Sequence, residues 1–189
     1  IELSAVAEAL QTQYHAAGFS VVSLQEGRRI AFAAMSSKYF MISSGYDTGR
    51  ILGCELWFSN SIPYLVEGDK QFIFKASHFY TIFKSPRLLV VDCHAPKFGA
   101  RFISMHAPTS AHPEQREAFF ELVSRYTATS RILLFGGDLN GRFTTSPGDP
   151  TSIVNASDGM HDFLRVSQLS VSAQHPEFDI SSFGTWTPP

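Results

Sequence analysis

The sequence predicts an α/β fold, because segments with helical periodicity alternate with short apolar runs typical of strands. Apolar residues recur at helical spacing after Ser4, and Gly18 stands where that helix would end. A second helix is predicted from Pro113, with an apolar stripe at i, i+3, i+4 and i+7. With 189 residues, 44% of them hydrophobic and 17% charged, the chain can bury a substantial core. We therefore interpret residues 1–189 as one domain.

The stripe of the second helix is formed by Phe119, Leu122, Val123 and Tyr126. The expected strands are residues 20–24, 39–43, 52–58, 71–75, 88–93, 101–105 and 132–135. The pair 39–43 and 52–58 predicts a hairpin with an extended turn, and further turns are expected at 84–86 and 97–100. Residues 141–158 are predicted to be one long loop, followed by a helix at 158–168 and short strands at 169–171 and 183–186.

The most informative segment is the apolar run 132–135 with the residues that follow it. Gly136 and Gly137 come next, then Asp138 and, two positions later, Asn140. A buried strand here would deliver these residues to a sheet edge, where ligands bind in α/β folds, and the glycines would let the backbone turn sharply. A carboxylate and an amide at i and i+2 suit a phosphate beside a hard divalent cation. The alternative is an ordinary polar loop.

A second apolar run, residues 19–24, ends in Gln25 and Glu26. A strand thus ends in an acidic residue here too. The alternative is a surface glutamate that forms an ion pair with Arg28 or Arg29.

A third run, residues 102–105, delivers His106 shortly before Pro108, which would end the strand. The alternative for this histidine is a hydrogen-bonded structural role. A strand-like aromatic segment, 183–186, lies near the end of the sequence.

Taken in this order, the segments resemble the endonuclease/exonuclease/phosphatase superfamily of metal-dependent phosphoesterases. In that family one strand ends in Gln-Glu, a later one in His-x-Pro and the next in Gly-Asp-x-Asn. The matching positions are Gln25-Glu26, His106-Ala107-Pro108 and Gly137-Asp138-Leu139-Asn140. The final Thr185-Trp186-Thr187-Pro188-Pro189 is similar to a segment found in the nuclease branches carried by non-LTR retroelements.

The resemblance implies two packed mixed β-sheets flanked by helices, the DNase I-like four-layer α/β sandwich. It also implies that both ends of the domain are truncated. Family members usually begin with a strand that bears a metal-site asparagine and finish with a Ser-Asp-His motif, and residues 1–189 contain no Ser-Asp-His.

The resemblance further implies roles for individual side chains. Glu26 would bind Mg²⁺ or Mn²⁺, and Gln25 would support the site without touching substrate. Asp138 would position or activate the attacking water. Asn140 would hold a phosphate oxygen, and His106 would donate to a phosphate oxygen or to the leaving group.

The implied reaction is hydrolysis of a phosphate ester without a covalent enzyme intermediate, and a DNA-nicking endonuclease is the favoured function. Two alternatives stay open: a phosphatase or lipid phosphodiesterase of the same superfamily, and a catalytically dead remnant that serves as an interaction module. The net charge of −2 gives no global basic field. A DNA partner would therefore need a local basic rim, for which Arg28 and Arg142 are candidates together with Arg29 and Lys84.

The sequence also bears on membrane insertion and oligomeric state. No segment approaches the roughly 18 consecutive apolar residues that span a bilayer. We expect a monomer. Cys54 and Cys93 both lie in apolar runs, so buried free thiols are expected in preference to a disulfide or a metal site.

We expect residues 1–189 alone to be inactive or nearly so on DNA, because the family's water-activating Asp-His segment is missing from this sequence while Glu26, Asp138 and Asn140 are retained. A nicking assay on supercoiled plasmid with Mg²⁺ checks this expectation. Robust nicking that vanishes in both Asp138→Ala and Glu26→Ala would contradict it.

Overall fold

The computed structural model describes residues 4–109, 111–129 and 131–140, together with the backbone of 142–143 and 153–154. These residues fall into two compact units. The first comprises Ile1–Ala107 and Thr129–Leu139, and the second comprises Pro108–Ala128 and Asn140–Pro189. Each unit is described by itself. The single domain expected from the sequence stays a prediction.

The first unit contains one helix and ten strands among the described residues. They are α1 (Ala5–Ala16), β1 (Val21–Leu24), β2 (Phe32–Met35), β3 (Tyr39–Ser43), β4 (Glu55–Ser59), β5 (Leu65–Glu67), β6 (Lys70–Phe72), β7 (Phe79–Ser85), β8 (Leu88–Ala95), β9 (Phe98–His106) and β10 (Ile132–Asp138). A short 3-10 turn, Ala76–His78, precedes β7.

The first helix begins and ends as its sequence predicts. The Ser4 hydroxyl accepts a hydrogen bond from the backbone N–H of Ala7 at 3.3 Å, which satisfies one of the free donors at the helix start. Gly18 adopts φ of +81°, and its N–H donates to the carbonyl of His15. This left-handed conformation ends the helix and favours glycine.

One sheet is antiparallel and has the order β1-β4-β3-β2. The predicted hairpin is confirmed, since β3 and β4 pair along their whole lengths. The edge strand β2 was not predicted. Its centre is Ala33-Ala34, which lacks the β-branched and aromatic residues that mark most strands.

The other sheet is mixed and has the order β10-β9-β8-β7, with only β10 and β9 parallel. Several strand predictions were wrong. The strand expected at 52–58 begins only at Glu55. β7 was not predicted, and it continues to Ser85 within the expected turn. β9 begins at Phe98, so the turn before it is confined to the residues around Lys97, which has φ of +63°. The strand expected at 71–75 ends at Phe72 and pairs only with β5.

The two sheets pack face to face through an aromatic-rich core. The Phe58 ring stacks on Phe79 with centroids 3.9 Å apart and meets Phe102 edge-on at 5.0 Å. The buried residues of this core are Ile42, Cys54, Leu56, Phe58, Phe74, Leu89, Val91, Cys93, Ala95, Ala100 and Phe102. The predicted pair of packed sheets is confirmed, although only one of the two is mixed.

Alternate residues of the antiparallel sheet face the opposite way and pack against α1. Tyr39 and Trp57 lie almost fully buried in this second cluster. Its buried members are Ala7, Val22, Tyr39, Met41 and Trp57. A helix therefore flanks the sheet pair on this side, as predicted.

The second unit contains α2 (Pro113–Thr127), with the predicted proline in its first turn, and a short antiparallel pair, β11 (Arg142–Phe143) and β12 (Ile153–Val154). This pair corrects the prediction of an uninterrupted loop at 141–158. The helix and strands expected at 158–168, 169–171 and 183–186 lie outside the described residues.

The buried face of α2 differs from the predicted stripe. Phe119 and Val123 are buried as expected, whereas Leu122 and Tyr126 are only partly buried. The other two buried residues of α2 are Phe120 and Arg116, and Arg116 is 1% exposed.

None of the described helices is long and apolar enough to span a membrane.

The two cysteines are buried free thiols, as predicted. Burial raises the pKa of the Cys54 thiol to about 12 and that of Cys93 to about 11. Thiolate is therefore scarce at pH 8 in the folded chain, and we expect the native protein to resist a thiol reagent such as Ellman's reagent. Unfolding in guanidinium should release both thiols for rapid reaction. Fast reaction of the native protein would contradict the burial of these groups.

Candidate functional site

The carboxyl ends of β9 and β10 form the centre of the candidate site. The two strands are parallel, and His106 is the register partner of Asp138. The Nε2 atom of His106 lies 3.9 Å from Oδ2 of Asp138. The backbone N–H of Ala107 donates to the carbonyl of Asp138 at 2.8 Å, so the pair is fixed at its backbone as well.

The choice between a structural and a catalytic role for His106 stays a prediction. The His106 side chain is only 10% exposed, and its Nδ1 atom is buried without a hydrogen-bond partner among the described residues. Buried polar atoms in folded proteins are nearly always paired. The other ring nitrogen, Nε2, is the one that lies near the exposed Asp138 carboxylate.

Arg87 also belongs to this edge, although sequence reasoning did not select it. Its Nη1 atom donates to the carbonyl of His106 at 3.3 Å, and its own carbonyl accepts from the His106 N–H at 2.9 Å. Arg87 follows Pro86 in the turn between β7 and β8. The proline marks the turn, but no local signal in the sequence links that turn to His106.

The strand before Asp138 is not buried, which corrects the prediction. Among the described strands β10 lies at the edge of its sheet, and Ile132 and Leu134 are 57% and 41% exposed. Gly136 and Gly137 do not form a turn either, since both belong to β10. Their lack of a side chain serves close packing instead.

The clearest close approach is at Gly136. A Cβ on Gly136 would overlap the Cβ of Ser23 and lie 2.6 Å from its Oγ. A Cβ on Gly137 would likewise overlap the carbonyl oxygen of Met105. The glycines thus bring β10 against both β1 and β9.

A polar bridge, formed by Ser23, Gln25, Ser104 and Gly136, joins the end of β1 to the ends of β9 and β10. The Ser23 hydroxyl lies 2.9 Å from Oγ of Ser104 and 3.2 Å from the carbonyl of Gly136. Gln25 donates from Nε2 to both serine hydroxyls, at 3.1 and 3.2 Å. This bridge brings the Gln25-Glu26 motif to the sheet edge that carries His106 and Asp138. The supporting role predicted for Gln25 stays a prediction.

Glu26 lies immediately beyond the bridge in a left-handed conformation, with φ of +56°. Its carboxylate is 53% exposed, and Oε2 forms an ion pair with Arg28 at 3.0 Å, so the alternative left open by the sequence is realised. Its other oxygen, Oε1, forms no hydrogen bond with the described residues. Among all the residues that the structure describes, no three His, Cys, Asp or Glu side chains form a group able to hold a metal ion.

The expected basic rim is only partly present. Arg28 is exposed, but Arg29 forms a buried ion pair with Glu55 and is therefore not available to a ligand, which corrects that prediction. Lys84 is exposed on β7. The side chain of Arg142 lies outside the described residues.

Asn140 belongs to the second unit and has φ of +46°, a conformation that asparagine tolerates better than most residues. Its carbonyl accepts a hydrogen bond from Arg116 at 2.9 Å, and Arg116 also donates to the carbonyl of Pro108 at 3.0 Å. The convergence of Asn140 with the other predicted residues stays a prediction.

No protein-family model matches this sequence. No curated protein matches it either. Solved structures similar to the chain include truncated Caenorhabditis elegans TDP2, at 17% identity and a TM-score of 0.44, covering 70% of this chain and 54% of that one. The chain thus spans about half the length of that protein.

Two further similar structures cover more of the chain. The endonuclease domain of TRAS1, a telomere-specific non-LTR retrotransposon, is 15% identical with a TM-score of 0.45, covering 87% of this chain and 66% of that one. The human Nocturnin catalytic domain with bound sulfate is 12% identical with a TM-score of 0.44, covering 87% and 64%.

We expect Gly136→Ala to destabilise the protein by about 1–3 kcal/mol, because the added methyl group overlaps Ser23 and must push the sheets apart. Gly99→Ala is the matched control: it also adds a methyl group to a strand glycine of the same sheet, but the nearest atom, Nη1 of Arg131, is 3.9 Å away. Urea unfolding monitored by circular dichroism measures both. Equal stability of the two variants would contradict the close approach of β1 and β10.

Proposed function

We propose that this chain, whose fold resembles the DNase I-like superfamily, provides the phosphate-binding and metal-binding part of a metal-dependent phosphodiester hydrolase that nicks DNA. The observation that carries the proposal is the His106–Asp138 pair at 3.9 Å, which lies at the sheet edge reached by the Gln25-Glu26 motif. A proton donor and a carboxylate side by side are the groups that phosphate-ester hydrolysis needs around the scissile bond.

The donor chemistry at Glu26 fits Mg²⁺ or Mn²⁺. Mg²⁺ keeps several water ligands and is commonly bound through one or two carboxylates plus substrate phosphates, so a closed protein cage is not required. The Glu26 carboxylate is half exposed, and one of its oxygens is free of the Arg28 ion pair. When bound, the metal would polarise a phosphoryl oxygen and offset charge on the leaving oxygen.

The side chains of the other two motifs would divide the remaining tasks. Asp138, with its side chain 55% exposed, would accept a hydrogen bond from the attacking water and orient it. His106 would donate from Nε2 to a phosphate oxygen or to the leaving group. Asn140 would bind another phosphate oxygen through its amide.

DNA is the proposed substrate because the motif order, including the final Thr-Trp segment, is similar to that of retroelement nucleases. Arg28, beside Glu26, and Arg87, which is bonded to the His106 carbonyl, would supply positive charge for a phosphate backbone. The phosphatase or lipid phosphodiesterase alternative has no feature in its favour among the described residues.

A non-catalytic interaction module is the second candidate. The Glu26–Arg28 ion pair favours it, because that pair occupies one oxygen of the proposed metal ligand. In such a module the His106–Asp138 pair would be a retained feature without a metal partner.

Mn²⁺ binding measured by calorimetry tests the proposal on the chain itself. We expect one site whose affinity falls at least about tenfold in Glu26→Gln, since the anionic ligand is lost. Glu121→Gln is the control, because Glu121 is also exposed and forms a similar ion pair, with Arg125 at 2.9 Å. No Mn²⁺ binding would favour the interaction module, and equal losses in both variants would contradict the role of Glu26.

The same preparations distinguish the substrate classes. We expect Mn²⁺ to strengthen binding of a fluorescent DNA duplex, measured by anisotropy, and Glu26→Gln to abolish that enhancement. Vesicles that contain phosphoinositides are the comparison. Metal-dependent binding to vesicles without any to DNA would contradict the DNA assignment and support the lipid alternative.

A further inference from the structure

A buried ion pair lies directly beneath the loop that carries Glu26. Glu55 is 1% exposed and accepts two hydrogen bonds from Arg29: one from Nε to Oε1 at 2.8 Å and a second from Nη2 to Oε2. The indole N–H of Trp57 also donates to Oε2, at 2.8 Å. The guanidinium lies 4.7 Å above the ring of Phe32. The Glu55 carboxylate is thus fully paired in a water-poor environment.

The loop of residues 25–29 is shaped by contact with this carboxylate. A Cβ on Gly27 would overlap Oε1 of Glu55 and lie 2.9 Å from its Cδ, so the loop backbone rests on the carboxylate. On either side of Gly27, Glu26 and Arg28 have φ of +56° and +49°. Such conformations are strained in non-glycine residues and persist only where the surroundings impose them.

Anchors on both sides impose this conformation. Upstream, Gln25 is bound to the polar bridge through Ser23 and Ser104. Downstream, Arg29 is bound to Glu55. Two backbone hydrogen bonds fix the apex between them: Gly27 N–H donates to the carbonyl of Gly53 at 3.0 Å, and Arg28 N–H donates to that of Leu52 at 2.9 Å.

We propose that Glu55 is a positioning residue for Glu26: it binds Arg29 and supports Gly27, and it thereby holds the loop in the strained conformation that presents the Glu26 carboxylate to the metal. This inference rests on the proposed function, because it assigns Glu55 to the same metal site. Glu55 itself does not contact metal or substrate, since its two oxygens are taken up by Arg29 and Trp57.

The test compares Glu55→Gln with Asp92→Asn. Asp92 is the matched control because it is also buried, at 5% exposed, and pairs with the two donor atoms of Arg101 at 2.6 and 2.9 Å, but it lies in the mixed sheet away from the loop. Both variants remove a buried negative charge from an arginine. Only Glu55→Gln removes support from the loop.

Mn²⁺ affinity and amide chemical shifts are the two readouts. We expect Glu55→Gln to weaken Mn²⁺ binding about tenfold, the size typical of a group that orients a metal ligand. In metal-free samples it should also shift the ¹⁵N–¹H resonances of Glu26, Gly27 and Arg28. Asp92→Asn should leave the affinity within about twofold and those resonances in place, because distant sites act independently.

Arg29→Lys decides the matter if Glu55→Gln does not fold. It keeps the positive charge but cannot form the two parallel hydrogen bonds, so it should reproduce the loss of Mn²⁺ affinity in a folded protein. An unchanged Mn²⁺ affinity in Arg29→Lys and in folded Glu55→Gln, with a loss in Glu26→Gln, would overturn the role of Glu55 alone. An unchanged affinity in Glu26→Gln would overturn the proposed function as well.

Discussion

The close approach of β1 to the ends of β9 and β10 is the constraint on which the candidate site depends. The core between the two sheets is apolar and aromatic, and such packing tolerates small shifts in register. The hydrogen bonds of Ser23 and Gln25 with Ser104 and Gly136 do not, because a shift would leave buried donors and acceptors unpaired. Specific hydrogen bonds in an apolar interface thus fix which strand ends lie side by side.

From this constraint the chemistry of the edge follows. The parallel register of β9 and β10 places His106 beside Asp138, and the polar bridge brings the loop of Glu26 to the same edge. The buried Glu55–Arg29 pair then sets the conformation of that loop from below. Strand pairing, the polar bridge and the Glu55–Arg29 pair therefore place the Glu26 loop at the same sheet edge as His106 and Asp138, although most of the described chain separates them in sequence.

The sequence predicted the elements that have a strong local signal. Ser4 and Gly18 predict the two ends of α1. The apolar runs predict the β3–β4 hairpin and the polar residues at strand ends. Edge strands were harder to predict. The edge strand β2 has Ala33-Ala34 at its centre and therefore carries little strand preference. β10 has the apolar sequence of a buried strand but lies at an edge among the described residues. Whether a strand has one neighbour or two is decided by distant segments, which local patterns do not report.

The candidate residues follow from the sequence, but their geometry does not. Glu26, His106 and Asp138 were identified because each follows an apolar run, while Arg87, Glu55 and the glycines' packing role depend on contacts between distant strands.

Paramagnetic broadening of amide resonances by Mn²⁺ tests the central claim most directly, since broadening falls steeply with distance from the ion. We expect the amides of Glu26, Ala107 and Asp138 to broaden together, and that of Gly68, in the β5–β6 turn, to stay sharp. Broadening at Gly68, or at none of the three strand-end residues, would contradict the metal site.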